Sequence, residues 1–167
     1  MFDLLLMRHA KSDWHSHTAD IDRPLNARGR QDATNMGVYL EQNNLIPDKM
    51  IVSTAQRTQE TASLLLNNIT VADENIIVDK ELYLADKETL CDNIALYASD
   101  NKRLLILAHN PGMDYLVSYL ASESPTLSIS GKLMTTCAVA CFHLDSVDAI
   151  NKQGCGELIK IIRPKEF

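Results

Sequence analysis

The sequence predicts an α/β fold in which helices cover both faces of a largely parallel sheet. Short apolar runs of strand length alternate with segments whose apolar residues recur at helical spacing, through residue 121. The runs at 4–7 and 104–107 are wholly apolar, which is typical of strands that are buried on both faces. Together these observations favour a core sheet enclosed between two layers of helix.

The strands are predicted from apolar runs that end at polar residues. Six are expected, at residues 4–7, 50–52, 76–78, 104–107, 138–144 and 158–162. The first four alternate with helices, which favours parallel pairing. Only a short turn region separates the last two, so we expect a hairpin and one antiparallel pairing at an edge near the C-terminus.

Four helices are predicted between these strands, each with an apolar stripe at helical spacing. The first begins after Asn26, whose side chain can cap a helix N-terminus. The second opens at Arg57, and the third covers residues 86–98. The fourth begins at Pro111, which suits the first position of a helix, with Asn110 as its N-cap.

Composition limits the class of protein. The 167 residues are 46% hydrophobic and 23% charged, which fits a single domain over residues 1–167. The net charge of −6 disfavours nucleic acid or an anionic membrane as the main partner. We expect a cytoplasmic protein, because the sequence contains neither a secretory leader nor a run of roughly 20 apolar residues.

The four cysteines include no Cys-x-x-Cys pair, which disfavours both disulfide staples and a zinc site. We expect them to be reduced thiols. Cys137 and Cys141 are expected to be buried on a strand.

Three predicted strands end in residues that suit phosphate chemistry. Arg8 and His9 follow the first strand, Ser53 to Arg57 follow the second, and His109 follows the fourth. Ligands of open α/β sheets bind at the carboxyl ends of the strands, so two imidazoles and two guanidiniums should meet there. One guanidinium can bind two phosphate oxygens through two parallel hydrogen bonds. An imidazole beside a phosphate that is held in this way can act as a nucleophile. The pattern predicts phosphoryl transfer that requires no metal ion or other cofactor.

These residues fall within motifs that resemble the histidine phosphatase superfamily, in particular its small branch of SixA-like phosphohistidine phosphatases. The motifs occur in the family's order between residues 4 and 144. They are Arg8-His9-Ala10-Lys11-Ser12-Asp13-Trp14, Asp22-Arg23-Pro24-Leu25 with Arg28-Gly29, Ser53-Thr54-Ala55-Gln56-Arg57-Thr58 with Glu60-Thr61, Glu81-Leu82-Tyr83, and Ala108-His109-Asn110-Pro111-Gly112.

The resemblance implies a three-layer αβα sandwich, in agreement with the strand pattern. It also implies that His9 is the phospho-accepting nucleophile, that Arg8 and Arg57 hold phosphate, and that His109 completes the pocket. The chain departs from the usual motif at Ala10, where the family commonly has glycine.

Two further residues have alternative interpretations. Arg23 could bind substrate or phosphate, or could pair only with Asp20 or Asp22. Glu81 could protonate the leaving oxygen, as a carboxylic acid does in larger relatives, or could be a solvated residue at a strand end. Asp86 is a weaker candidate for the same acid.

We therefore expect a monomeric, metal-independent phosphatase that removes phosphate from phosphohistidine in a protein. A chain this short leaves little sequence for a lid that would enclose a small molecule. The alternatives are a phosphomonoesterase that acts on a small phosphorylated metabolite and, in a different class, a non-catalytic phosphoprotein-binding module. Such a module would keep Arg8 and Arg57 but would not need His9.

Overall fold

The strands of the protein form a single sheet. A computed structural model describes residues 1–100 and 102–167. In these residues six strands lie in the order β3-β2-β4-β1-β5-β6. They are β1 (Phe2–Arg8), β2 (Lys49–Ser53), β3 (Ile76–Asp79), β4 (Arg103–Ala108), β5 (Val139–Leu144) and β6 (Gly156–Ile162). Each strand overlaps one of the six predicted runs.

The sheet is mostly parallel, as predicted. β4 pairs in parallel with β1 on one side and with β2 on the other, and β2 pairs in parallel with β3. β5 is antiparallel to both of its neighbours, β1 and β6. The prediction of one antiparallel pairing is therefore corrected to two, because the reversed strand lies between two others and not at the edge.

Helices cover both faces of the sheet. The described residues form four α-helices, α1 (Ala27–Gln42), α2 (Gln56–Leu66), α3 (Lys87–Tyr97) and α4 (Gly112–Leu120). Side chains alternate along β1, so that Leu5 and Met7 pack with α1 and α2 while Leu4 and Leu6 pack with α3 and α4. The three-layer αβα sandwich is thus confirmed. None of the described helices has the length and apolar character needed to cross a membrane.

The ends of two elements differ in detail from prediction. Asn26 caps α1 as expected, since its side chain accepts a hydrogen bond of 2.8 Å from the Gly29 amide. Helix α4 begins at Gly112, one residue after the predicted start. Cys141 lies on β5, but Cys137 is buried before it. The left-handed backbone at Cys137, with φ of 65°, turns the chain before strand pairing begins at Val139.

The start of α1 packs directly on the polar segment 11–26. A Cβ atom at Gly29 would lie 2.0 Å from the carbonyl oxygen of Lys11, so only glycine permits this approach. The Lys11 carbonyl also accepts a hydrogen bond of 3.0 Å from the Asn26 amide. These contacts hold the segment against the carboxyl edge of the sheet.

Candidate active site

The structure brings the four predicted strand-end residues to one cavity. Because β1, β4 and β2 are parallel neighbours, their carboxyl ends meet at the same edge. Arg8 ends β1 and His9 follows it, His109 follows β4, and Arg57 is the second residue of α2. All four side chains line a cavity of about 260 Å³. The predicted convergence is observed, while the chemical roles of these residues stay predictions.

His9 has one ring nitrogen bound and one left free. Its Nδ1 lies 2.7 Å from the Ala10 carbonyl oxygen, which can only accept a hydrogen bond. Nδ1 therefore carries the proton, and the lone pair resides on Nε2, which has no hydrogen-bond partner in the described part of the chain. Such a tautomer is suited to nucleophilic attack through Nε2.

The surroundings of His9 keep its imidazole neutral. The residue is only 7% exposed. Burial lowers the pKa of His9 to about 3, although the hydrogen bond to Ala10 acts in the opposite direction, and the nearby His109, Arg57 and Arg8 lower the pKa further. Hydrogen bonds of 3.2 Å to the Ala108 carbonyl and 3.0 Å from the Cys137 amide fix its backbone. The side chain is thus held neutral, with its one proton on Nδ1, and in place at neutral pH.

His109 is the second buried imidazole. Its Nε2 lies 2.7 Å from the Ser53 hydroxyl oxygen, and its ring centroid lies 5.2 Å from that of His9. Burial, reinforced by the Arg57 cation, lowers the pKa of His109 to about 4, with Asp20 opposing this shift. Its Nδ1 is buried and has no hydrogen-bond partner among the described residues. The hydrogen-bonding capacity of that nitrogen is therefore unused in the free protein.

Arg8 forms one wall of the cavity. Its Nη1 donates a hydrogen bond of 3.0 Å to the carbonyl oxygen of Met134, which also accepts one of 3.1 Å from the Asn110 side chain. Burial lowers the pKa of Arg8, but a guanidinium stays charged in a protein. In the described chain no carboxylate forms an ion pair with Arg8. Its charge is left to attract an anion in the cavity.

Arg57 is held by a single residue of the polar segment, Asp20. Arg57 Nη1 donates to the Asp20 carbonyl oxygen at 2.7 Å, and Nη2 donates to its carboxylate at 3.1 Å. The same carboxylate accepts hydrogen bonds from Tyr83 and, at 2.8 Å, from Arg23. These donors, Tyr83 first, hold the pKa of Asp20 well below its usual range. Asp20 is thus an ionised carboxylate that orients Arg57.

Arg23 forms the ion pair with Asp20 that was one of its two interpretations. It pairs with Asp20, donates a hydrogen bond to Ser12, and places its guanidinium 3.7 Å from the centroid of the Trp14 ring. It also lines the same cavity as His9. The ion pair is therefore observed, and a direct role toward substrate stays a prediction.

The two candidate acids lie elsewhere. Glu81 is exposed on the 3-10 turn Lys80–Leu82 and is not among the residues that line the cavity. Asp86 is exposed and caps α3 by accepting a hydrogen bond of 2.9 Å from the Thr89 amide. Neither carboxyl group lines the cavity that holds His9, and a role as proton donor stays a prediction for both residues.

Sequence reasoning did not assign roles to several residues that support the site. Asp20 accepts hydrogen bonds from Arg57 and from Tyr83. The Ser53 hydroxyl forms a hydrogen bond with His109. Ser53 and Tyr83 lie within the motifs that resemble the family, and that position in the sequence is a usable signal. The sequence indicates Asp20 only as a possible partner of Arg23, and no pattern in it indicates that Asp20 also reaches Arg57.

Comparisons with known proteins show which family the chain resembles. The family described as histidine phosphatase superfamily (branch 1) matches residues 4–83. An uncharacterized protein of Mycobacterium tuberculosis is 31% identical over 164 residues, which cover 95% of this chain and 100% of that one.

Solved structures show the same fold. The protein histidine phosphatase SixA, complexed with tungstate, has a TM-score of 0.81 at 21% identity, with 98% of each chain covered. A phosphoserine phosphatase of Entamoeba histolytica has a TM-score of 0.67 at 14% identity, with 100% of each chain covered. The chain therefore belongs to the histidine phosphatase superfamily (branch 1), and this membership indicates a phosphatase.

Proposed function

We propose that the protein is a metal-independent phosphatase that transfers a phosphoryl group first to His9 and then to water. One observation carries this proposal. His9 is a buried, neutral imidazole with a free Nε2, in a cavity that it shares with the guanidiniums of Arg8 and Arg57. A nucleophile of this kind beside two cations is what phosphoryl transfer requires.

Substrate phosphate binds between the two guanidiniums and His109. Arg8 brings a positive charge that no carboxylate of the described chain pairs with, and His109 brings its imidazole to the same cavity. Arg57 brings a second cation, whose terminal nitrogens Asp20 holds in the free protein. Donors that are fixed before the reaction stabilise the charge on the equatorial phosphate oxygens in the transition state.

The reaction then takes two steps. Nε2 of His9 attacks phosphorus, so that a P–N bond forms as the bond to the leaving group breaks. Water next attacks phosphorus, the P–N bond breaks, and inorganic phosphate leaves with His9 restored. The proton on Nδ1 stays on its hydrogen bond to Ala10 throughout, which preserves the tautomer.

We further propose that the leaving group is the imidazole of a phosphohistidine in a protein. Among the described residues that line the cavity, Asp20 is the one carboxylate, and its lowered pKa leaves it without a proton to donate. An alkoxide leaves poorly without an acid, whereas a phosphohistidine that is protonated on its second ring nitrogen releases a neutral imidazole without one. The site therefore suits a P–N bond better than an alkyl ester.

A substrate comparison tests this proposal. In EDTA, a phosphohistidine-containing protein is expected to show a kcat/KM at least ~100-fold above that of an alkyl phosphate, the size of effect that a missing general acid produces. Glu81→Gln should leave both values unchanged. Faster turnover of the alkyl phosphate, with a large loss in Glu81→Gln, would favour the small-metabolite alternative. Binding of the phosphoprotein without any turnover would favour the non-catalytic module.

A further inference from the structure

We propose that a basic groove beside the cavity binds an acidic polypeptide segment next to the phosphorylated residue of the substrate. This inference rests on the proposed function, in which the substrate is a phosphoprotein. It adds a second point of recognition, outside the phosphate pocket, and assigns its chemistry.

The groove is continuous with the cavity. It has a volume of about 430 Å³, and it shares Arg8, Lys11 and Thr136 with the cavity that holds His9. A chain whose phosphorylated residue enters the cavity can therefore extend along the groove without leaving the protein surface.

Cations dominate the lining of the groove. They come from the end of β1, the loop after it, the start of α1, the segment 122–138 and the C-terminal segment, whereas two carboxylates face them. The cations are Arg8, Lys11, Arg28, Lys132, Arg163 and Lys165, and the carboxylates are Asp32 and Glu166. Such a concentration of positive charge is notable in a chain with a net charge of −6. Grooves lined by one sign of charge attract ligands of the opposite sign.

Several of these cations have no anionic partner. Arg28 pairs with Asp32 at 3.8 Å, and Arg163 pairs with Glu166 at 3.3 Å. Lys11, Lys132 and Lys165 form no ion pair within the described part of the chain. Carboxylates of an incoming segment can therefore pair with these lysines without displacing an internal ion pair.

Exposed apolar side chains around the groove favour a polypeptide over a small anion. Ile129 lines the groove and is fully exposed. Trp14 and Leu84 line the mouth of the cavity and are 69% and 60% exposed. Such side chains add no binding free energy for a small anion such as a bisphosphate, whereas a protein surface buries them on contact. The charged groove and its apolar border together fit an acidic segment of a protein.

Two phosphohistidine peptides of equal length test the proposal. One carries Asp and Glu beside the phosphorylated residue, and the other carries Asn and Gln at the same positions. At low salt we expect the wild-type protein to favour the acidic peptide by about tenfold in kcat/KM, since charge complementarity acts mainly on association. The preference should disappear at about 1 M salt, where charges are screened within ~3 Å.

Charge-reversal variants locate the effect in the groove. Lys132→Glu with Lys165→Glu should abolish the preference and leave turnover of para-nitrophenyl phosphate unchanged, because neither lysine lines the catalytic cavity. Lys102→Glu with Lys152→Glu changes the net charge equally at exposed positions outside the groove. This control pair should keep the preference.

The outcomes separate the two proposals. Equal kcat/KM for both peptides in the wild type, or a preference that survives in the groove variant, overturns the groove assignment and leaves the proposed function standing. Turnover of para-nitrophenyl phosphate without turnover of either peptide contradicts the phosphohistidine substrate, and the groove assignment fails with it. A groove variant that loses turnover of a propanediol bisphosphate but keeps the peptide preference would assign the groove to small metabolites.

Discussion

The two ends of the central sheet carry clusters of the same three residue types. One cluster is held together by its own ion pairs, and the other borders a cavity. Each cluster contains one carboxylate, one guanidinium and one imidazole. At the amino end these are Asp3, Arg103 and His143, and at the carboxyl end they are Asp20, Arg57 and His109.

The amino-end cluster is closed by its own ion pairs. Asp3 lies 3.1 Å from Arg103 Nη2 and 3.0 Å from His143 Nδ1. Burial raises the pKa of Asp3, but the hydrogen bonds from His143 and Arg103 outweigh it and lower the pKa. Arg103 also donates to the Asn44 carbonyl at 2.8 Å. The cluster ties β1, β4 and β5 together and serves structure.

The carboxyl-end cluster is left open. Asp20 pairs with Arg57 but makes no hydrogen bond to His109 in the described structure, and His109 lies with His9 at the cavity. Residue types alone therefore do not define a site. A site arises where the imidazoles keep a nitrogen free of carboxylates and border a cavity.

Replacing the arginine at each end by alanine should give the largest difference between the two clusters, in kcat/KM at one end and in the free energy of unfolding at the other. Arg57→Ala should lower kcat/KM for para-nitrophenyl phosphate by about 10³, because a fixed donor to the transition state is lost. Arg103→Ala, the matched change at the amino end, should leave kcat/KM within about twofold and instead lower the free energy of unfolding by ~1–3 kcal/mol. Steady-state kinetics and urea unfolding measure the two effects.

Arg57→Lys is the control for the possibility that Arg57→Ala loses activity because it does not fold. It retains the charge but loses the two-point geometry, so its kcat/KM should still fall well below that of the wild type. Equal loss of activity in Arg57→Ala and Arg103→Ala, with both proteins folded, would remove the distinction between the two ends.

Asp20→Asn is expected to have an intermediate effect. The change weakens the contact that orients Arg57, and we expect kcat/KM to fall about tenfold, since small displacements of a binding group are costly. The unfolding midpoint should hardly move, because Asp20 is half exposed and such ion pairs contribute little to stability. Asp20→Glu should restore part of the activity.

Asp22→Asn is the control, since Asp22 lies on the same 3-10 turn and is exposed. It should leave kcat/KM unchanged. If both variants behave alike, Asp20 does not position Arg57.

Lowering the pH from about 8 to about 5 should have the smallest effect on the charge of the cavity, because the imidazoles of His9 and His109 both stay neutral in this range. The pKa values of His9 and His109 lie at about 3 and about 4, below the ordinary 6.5. The unfolded chain therefore binds more protons below pH 6.5, and the free energy of unfolding falls as pH drops from there toward 3. Imidazole nitrogen shifts in NMR titrations measure this, and a midpoint near 6.5 for either residue would contradict it.

Much of the candidate active site could be predicted from the sequence. The carboxyl ends of parallel strands lie at one edge of the sheet. The apolar runs that end in Arg8-His9 and in His109 therefore predict that these residues converge at that edge. The role of Asp20 could not be predicted, because it depends on how segment 11–26 folds. Contacts distant in sequence, such as Gly29 against Lys11, decide that folding.

The direction of β5 and the placement of Glu81 were also beyond the sequence pattern. Strand periodicity does not specify whether a strand pairs with one neighbour or two. Glu81 lies in a motif that resembles the family. In the 3-10 turn Lys80–Leu82, however, the buried side chain is that of Leu82, whereas Glu81 is exposed.

The most direct test of the proposed chemistry is to trap the phosphorylated enzyme. After brief mixing with ³²P-labelled phosphohistidine protein in EDTA and a denaturing quench, we expect label on the enzyme that is labile in acid and stable in base, and mass spectrometry should place it on His9. The label should be absent in His9→Ala and retained in His143→Ala, the imidazole of the closed cluster. Turnover that EDTA abolishes, with no acid-labile label on His9, would contradict nucleophilic catalysis by this residue.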